Sequence, residues 1–409
     1  MFTHKDAADT LLTFAAKYPL LRRLHDSGIN LINFQDPRFL DKQAVSVCES
    51  THFVNLERIE QLVSLSRSLC LDRRVIGAYS QNELGLSAAA SVNEAFGFSV
   101  RFNKPQAVLN TRNKLRLREL IGFGHDGNSS GSLWRACSNA AALRAFVDEI
   151  GSRFDGIIVK PIAGVGSLGV KQLRNVEEIS TMVFPREGLL AEAFIHGNQY
   201  SVETFTFNGE HRLICVNREI NADSLAPNGF VQIGHMLPIH FDEQLLSSVT
   251  RVVFDALNMV GVEHGPCHTE IVLHDSEIYI IEINTRNGSS PLPEMIRLVT
   301  GVDVYGLSID WFMKNGASLR FQIATDVAAA VRHFTPPAGR VKAIHGVERA
   351  LALNGVKAIS IKVRPGDIIS PIYSAFDRIG YVIATGHSAE SAFQCCSNAA
   401  GLIKFVLED

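Results

Sequence analysis

Residues 261–291, GVEHGPCHTEIVLHDSEIYIIEINTRNGSSP, constrain this chain more than any other stretch. Two runs, HTEIVLH and EIYIIEIN, are crowded with β-branched residues and flank a short polar break at His274, Asp275 and Ser276, the pattern of a β-hairpin. Glu270 and Glu282 are equidistant from Ser276. Pairing about that residue sets them opposite each other, and the period of two along a strand brings Asn284 and Arg286 onto the face of Glu282. Like charges directly across a ladder are destabilising. Two facing carboxylates followed by a carboxamide oxygen therefore suit a hard divalent cation, Mg²⁺ or Mn²⁺, held by carboxylates and completed by phosphates and water. Glu270, Glu282 and Asn284 are the candidate ligands, with Arg286 just beyond, an arrangement for a nucleoside triphosphate. The competing reading is a solvated strand face whose acids pair with His268 or Arg286, but the neighbouring residues are too apolar for an exposed hairpin.

At 409 residues the chain suits two or three subdomains, each able to bury its own interior. With 46% apolar and 20% charged residues and a formal net charge of -3, it has the composition of a soluble globular protein and no electrostatic case for nucleic acid or an anionic membrane. Small anionic substrates have to be held by local groups. Seven cysteines form an odd set without CxxC spacing, which argues against a disulfide framework and a zinc site and for the reducing cytoplasm. The N-terminal MFTHKDAADT lacks the basic-then-apolar order of a signal peptide, and no run reaches the roughly 18 apolar residues of a membrane span.

The first hundred residues read as an α/β unit. A short apolar run at Thr10–Ala15, a helix around Leu20–His25 capped by Gly28 and a strand at Ile29–Phe34 form a β-α-β sequence. An amphipathic helix over Glu57–Leu71 and a strand at Arg74–Tyr79 follow, leading to a polar loop with Glu83. There is no GxGxxG, so a dinucleotide site has little support. Residues 108–122 predict a basic helix, with Asn110 or Thr111 as its N-cap. FDGIIVKPIAGVGSLGVKQL reads as a buried strand ending at Lys160 and Pro161, then a loop with glycines at 164, 166 and 169, whose backbone N–H groups can close on an anion beside the lysine. In LLAEAFIHGNQYSVETFTFNGE two strands flank a connector, and Glu203 either serves this site or pairs across the sheet with Arg212. Residues 217–240 read as a loop containing a turn at Gln232–Pro238, ahead of a helix from Asp242 to Val260. His235 in that turn either orients a substrate or is a satisfied structural histidine. Beyond residue 326 the pattern is strands, proline turns and a final helix.

Taken in order, a lysine ahead of a glycine-rich loop, the E-A-F-I-H-G connector and E…E-I-N-T-R resemble the ATP-grasp superfamily, closest to its L-amino-acid (dipeptide) ligases. The resemblance implies an α/β (α+β) ATP-grasp fold with an N-terminal preATP-grasp α/β domain over residues 1–107, an ATP-grasp domain over 108–325 with a flexible lid at roughly 126–205, and a C-terminal α+β subdomain over 326–409. By the same resemblance Lys114, Lys160, Gly166 and Ser167 contact the phosphates of ATP. Glu192 meets the adenine amino group, the backbone of Ala193, Phe194 and Ile195 reads the adenine edge, and Gln199 stands where many relatives have a glutamate for the ribose. Arg286 stabilises an acyl phosphate. Glu83, His235, Asn287, Gly288 and Ser289 face the organic substrates. The implied activity is an ATP-dependent carboxylate–amine ligase that joins two small molecules, with a homodimer as the default assembly. The alternatives are a carboxylase working through carboxyphosphate and a nucleotide-binding protein without turnover.

Overall fold

Strands buried on both faces read as continuous apolar runs, and the first segment of the chain is built from such strands. The computed structural model describes residues 9–39, 42–122, 133–150, 155–222, 227–289, 291–313 and 327–408. β1 (Thr10–Phe14) is wholly buried and lies between β2 (Asn30–Gln35) and β4 (Val75–Tyr79), with β3 (Ser50–Phe53) beyond β2. All three ladders are parallel. The β-α-β order is as expected: the helix Tyr18–Asp26 follows β1, and Gly28 at φ +79° turns the chain back into β2.

A small antiparallel sheet, ordered β5–β8–β6–β7, combines β5 (Trp134–Cys137), β6 (Ile157–Pro161), β7 (Lys171–Leu173) and β8 (Leu189–Ala193). Residues 126–132 and 151–154 of the expected lid lie outside the described residues. The large antiparallel sheet contains β9 (Asn198–Phe207), β10 (Glu210–Asn221), β11 (Gln232–Leu237), β12 (His264–His274), β13 (Glu277–Asn284) and β14 (Ala328–His333). β15 (Gly339–His345), β17 (Ile368–Ile369) and β19 (Lys404–Leu407) form a separate three-stranded sheet. β16 (Val356–Ile361) and β18 (Gly380–Gly386) return to the large one, whose order is β13–β12–β9–β10–β11–β14–β18–β16. One ladder thus runs without a break from the hairpin into the C-terminal third of the chain.

Several local expectations are corrected. The basic helix over 108–122 is two helices, Pro105–Arg112 and Lys114–Ile121, because Asn113 takes an extended conformation and caps the second through its side chain; neither Asn110 nor Thr111 is the cap. The 217–240 stretch is not a loop throughout: 217–221 close β10 and Gln232–Leu237 form a further strand. This strand lies between β10 and β14, since pairing on both edges satisfies its backbone better than an exposed turn would. A cis peptide joins Leu237 to Pro238. The final helix, Ala389–Leu402, is followed by β19.

The hairpin reaches the expected pairing by an unexpected route. Asp275 and Ser276 both have positive φ, 48° and 72°, so the turn is a tight two-residue one and pairs His274 with Glu277. Continued to its end, that register would set Glu270 against Ile281. A bulge that leaves Ile281 unpaired shifts the ladder by one residue and brings Glu270 opposite Glu282 and His268 opposite Asn284. On the other side of β12, Glu270 faces Ser201 and His268 faces Glu203. The alternate residues Val202, Val216, Ile271 and Ile283 bury the opposite face against the helix Glu243–Val260.

A second core joins the N-terminal sheet to the large one. Leu11, Leu20 and Leu31 belong to the same buried cluster as Phe205, Phe207 and Trp311. Trp311 has no exposed surface, packs edge-on against Phe207 and donates its indole N–H to the Arg101 carbonyl at 2.9 Å. Trp311→Ala is expected to cost about 3–5 kcal/mol of stability in urea unfolding; a loss below about 1 kcal/mol would mean that this junction is not held by the packed indole.

Candidate active site

The faces of the two smaller units and of the large sheet converge on one cleft of about 1250 Å³. Every site residue expected from the resemblance lines it except His235, and Glu203 does not line it either. Pairing across β13, β12 and β9 delivers Asn284, His268 and Glu203 as one row on the cleft face, and Glu282, Glu270 and Ser201 as the next.

At the end under the small sheet, Lys160 and Glu192 occupy adjacent strands and form a 2.6 Å ion pair. The other oxygen of Glu192 accepts from Arg118 Nε, also at 2.6 Å. Burial alone would raise the Glu192 pKa, but the charges of Arg118 and Lys160 hold it below the ordinary carboxylate value; burial lowers that of Lys160. Both Glu192 oxygens are thus engaged by cations rather than turned out to a base edge. Arg118 gave no signal in the sequence beyond its place in a basic helix. Lys114 Nζ donates to the Gly164 carbonyl at 3.0 Å and to Glu282 at 3.3 Å, so it spans the glycine loop and the carboxylate row. In the connector, the N–H groups of Ala193 and Phe194 already donate to the carbonyls of Leu133 and Gly156. Of the three expected adenine-reading amides, that of Ile195 is the one with no backbone acceptor among the described residues.

The glycine loop folds over the cleft. Gly166 and Ser167 have φ of 63° and 60°. The Gly166 carbonyl accepts from Ala375 N at 3.0 Å, and Ser167 Oγ donates to the Phe230 carbonyl at 3.0 Å. Asn228 Nδ2 bridges the carbonyls of Ser167 and Tyr373, at 2.9 and 2.8 Å, and so pins the loop to the C-terminal segment.

The floor carries an excess of carboxylates. Glu203 does not pair with Arg212, which reaches Glu210; its buried oxygen instead accepts from Ser201 and Asn217 and lies 2.6 Å from His268 Nδ1. Burial opposes a charged imidazole, yet Glu203 and Glu270 together raise the His268 pKa well above the ordinary histidine value. The sequence reading missed Glu219, which is buried on β10 with ligand atoms of its own, His268 and Glu270 within 4.8 Å of one another. Its pKa is pushed well above the carboxylate range, first by burial and then by the Glu270 charge. Gln199, expected at a ribose, donates to both Glu219 at 2.6 Å and Glu270 at 3.1 Å. Only the cross-strand neighbourhood of β9, β10 and β12 reveals that role. The donor set suits a hard cation, because Glu270 and Glu282 are opposed oxygen donors and Glu219 behind them is held against its charge.

His235 lies beneath this floor, 2% exposed, with Nδ1 3.1 Å from Asn217 Oδ1. Burial, then the charges of His268 and Arg378, push its pKa down to about 3. It is a neutral support of the Asn217–Glu203 network and not a group facing substrate. Arg286, by contrast, is held from three sides. Its Nε donates to Glu83 at 3.1 Å, Nη1 to the Asn287 carbonyl at 2.9 Å and Nη2 to Asn284 Oδ1 at 3.0 Å. Glu83 is itself clamped by Arg112 at 2.9 Å. Gly288 permits the chain to pass close to His268, since an added Cβ would lie 2.4 Å from Leu292.

Glu192→Gln is expected to cost about 3–5 kcal/mol in urea unfolding, because it leaves the Lys160 side chain, 5% exposed, without its carboxylate and neutralises the oxygen that Arg118 contacts. Near-native stability combined with weakened nucleotide binding would make Glu192 an adenine contact instead.

Residues 144–290 match the ATP-grasp domain family, and residues 332–408 match L-amino acid ligase C-terminal domain 2. The uncharacterized protein y4rH of Sinorhizobium fredii is 27% identical over 377 residues, 83% of this chain and 72% of its own. The L-amino acid ligase of Bacillus licheniformis superposes with a TM-score of 0.81 at 17% identity, covering 99% of this chain and all of that one. Phosphoribosylglycinamide synthetase of Anaerococcus prevotii gives 0.71 at 16%, covering 98% and 100%. The biotin carboxylase domain of the Hydrogenobacter thermophilus 2-oxoglutarate carboxylase, solved with MgADP and bicarbonate, gives 0.71 at 16%, covering 98% and 91%. At these identities the superpositions establish the fold. The chain therefore has the ATP-grasp fold and contains an ATP-grasp domain followed by an L-amino acid ligase C-terminal domain.

Proposed function

We propose that this protein is an ATP-dependent carboxylate–amine ligase, joining a carboxylic or amino acid to the amino group of a second small molecule with release of ADP and phosphate. The observation that carries the reading is the immobilised Arg286 guanidinium at the end of the Glu282–Asn284 strand, beside two opposed carboxylates and within the same cleft as Lys114 and Lys160. Residues 1–107, 108–325 and 326–409 would serve as acceptor wall, nucleotide-binding domain and closing subdomain. The match to an L-amino acid ligase C-terminal domain supports amino acids as substrates.

In this reading a substrate carboxylate oxygen attacks the γ-phosphorus of ATP, the bond to the β-phosphate oxygen breaks, and ADP leaves. The amine nitrogen then attacks the acyl carbon, phosphate departs, and the amine gives up a proton to form the amide. Lys114 and Lys160 would neutralise charge on the phosphates. Glu270, Glu282 and Asn284 would hold Mg²⁺ or Mn²⁺, which when bound neutralises the transferring phosphoryl group. Arg286 already has three donors engaged, so it offers its remaining N–H groups without reorganising, the condition under which electrostatic stabilisation is most effective. Seven free thiols suit a reducing cytoplasm, and a homodimer remains the default assembly.

Glu282→Gln is expected to remove nearly all ATP turnover while leaving the fold intact, because it deletes one of the two opposed charges at constant shape. Near-native turnover in Mg²⁺ would remove Glu282 from the metal set. In wild type, hydroxylamine added with ATP and the correct acid is expected to trap a hydroxamate with ADP as co-product. AMP and pyrophosphate would mark an adenylating enzyme, and ADP release that needs bicarbonate but no organic acid would replace the ligase by a carboxylase.

A further inference from the structure

Among the described residues, the buried guanidinium of Arg378 has no carboxylate partner. Arg378 is 8% exposed and lines the cavity from the turn before β18. Its Nε donates to the Ala375 carbonyl at 2.9 Å, while Nη1 reaches the Gln232 carbonyl at 3.3 Å and lies 3.4 Å from His333 Nε2. These are neutral partners. Lys362, on the neighbouring wall, also lines the cavity, and its Nζ donates to the Arg378 carbonyl at 3.3 Å. Among the described residues, no carboxylate lies within ion-pair distance of either cation. Asp377, adjacent in sequence, is taken up by the backbone N–H groups of Tyr373 and Ser374 and by the Ser374 hydroxyl.

A buried guanidinium without an anion is costly, and neutral carbonyls offset only part of that cost. Burial drags the Arg378 pKa down to about 10, with no opposing charge. Burial, followed by the charges of Arg378 and Lys17, lowers that of Lys362. His333, against Arg378, falls to about 2 through burial and that charge and stays neutral. Glu219, which accepts from Gln199 and Gln232, is not within ion-pair distance of either cation.

We propose that Arg378 and Lys362 form a specificity site for an oxyanion, a carboxylate or phosphate that the organic substrate carries in addition to its reacting group. The proposal rests on the ligase reading and deepens it. Two sources share this chemistry: the α-carboxylate of an amino acid acting as the amine, and the side-chain oxyanion of an acidic donor. The guanidinium plane suits two-point recognition of either, and the lysine adds a point charge from the side. Because the Ala375 turn that holds Arg378 Nε also donates to the Gly166 carbonyl, the site and the glycine loop share one anchor.

The test is calorimetric binding to the full chain saturated with MgADP, which occupies the phosphate end. L-glutamate and O-phospho-L-serine are each titrated against L-glutamine and L-serine, and L-alanine against L-alaninamide, on wild type, Arg378→Gln and Lys362→Gln. At least one anionic member is expected to bind wild type more tightly than its neutral counterpart and to lose roughly 10- to 100-fold in affinity in both variants, with the counterpart unchanged. Loss confined to L-alanine identifies the α-carboxylate, and loss confined to the acidic side chains identifies the donor. Arg378 also holds two carbonyls; if its variant does not fold, the more exposed Lys362→Gln carries the comparison. The proposal is overturned if no anion binds wild type, if anionic and neutral members weaken equally, or if the variants lose MgADP rather than the anion. Because binding needs no turnover, failure of the ligase reading, seen as absence of ADP and hydroxamate, is distinguished from failure of the anion site.

Discussion

Buried charge has to be matched, and the cleft is organised by where it is and is not. Under the small sheet one carboxylate serves two cations: Glu192 sits between Lys160 and Arg118, each 2.6 Å away. Such a triad adds little to stability compared with apolar packing of equal volume, but removing one member strands the others. Its value is positional, since it ties β6 and β8 to the helix Lys114–Ile121 and fixes where Lys160 stands. Along the floor the match fails on the negative side, with Glu203, Glu219, Glu270 and Glu282 facing His268 and Lys114. At the far wall it fails on the positive side, at the buried Arg378 with the exposed Lys362 beside it.

The two imbalances have the same physical consequence. In the proposed reading each would be completed by something not supplied by the polypeptide, a cation at one end and an anion at the other. The backbone keeps them apart. One continuous eight-stranded sheet carries Glu282 near one edge and β18, just beyond Arg378, near the other, so their separation is fixed by hydrogen-bonded strands and not by a hinge. The glycine loop reaches across the gap, and its contacts through Asn228 and Ala375 make the C-terminal segment part of the surface over the cleft.

The likenesses to an amino-acid ligase, a glycinamide synthetase and a biotin carboxylase follow from the same division of labour. In the proposed reading the fold would deliver carboxylates, lysines and a fixed arginine to a phosphoryl group, while the walls beyond Arg286 would determine what else enters. Function within such a fold is argued from the site and not from the superposition.

That Lys160, Glu282, Asn284 and Arg286 line one cleft was legible in the sequence because the signals are local. Lys160 precedes its glycines, Glu282, Asn284 and Arg286 recur at the period of a strand, and the hydrophobic pattern determines that they share a face. The pairing of Glu270 with Glu282 was foreseen for a reason that the structure replaces, since a tight turn and a bulge at Ile281 together restore a register that symmetry about Ser276 had suggested. What the sequence could not reveal depends on residues far apart in the chain. Glu203 finds His268 across 65 positions, Arg118 finds Glu192 across 74, and Arg378 meets the carbonyl of Gln232 across 146. His235 looked like a substrate group because it stands in a polar motif, and only the pairing of β11 on both edges turns it under the floor. Local periodicity therefore determined which residues face together; the order of strands in the sheet decided which charges meet, and which are left to a ligand.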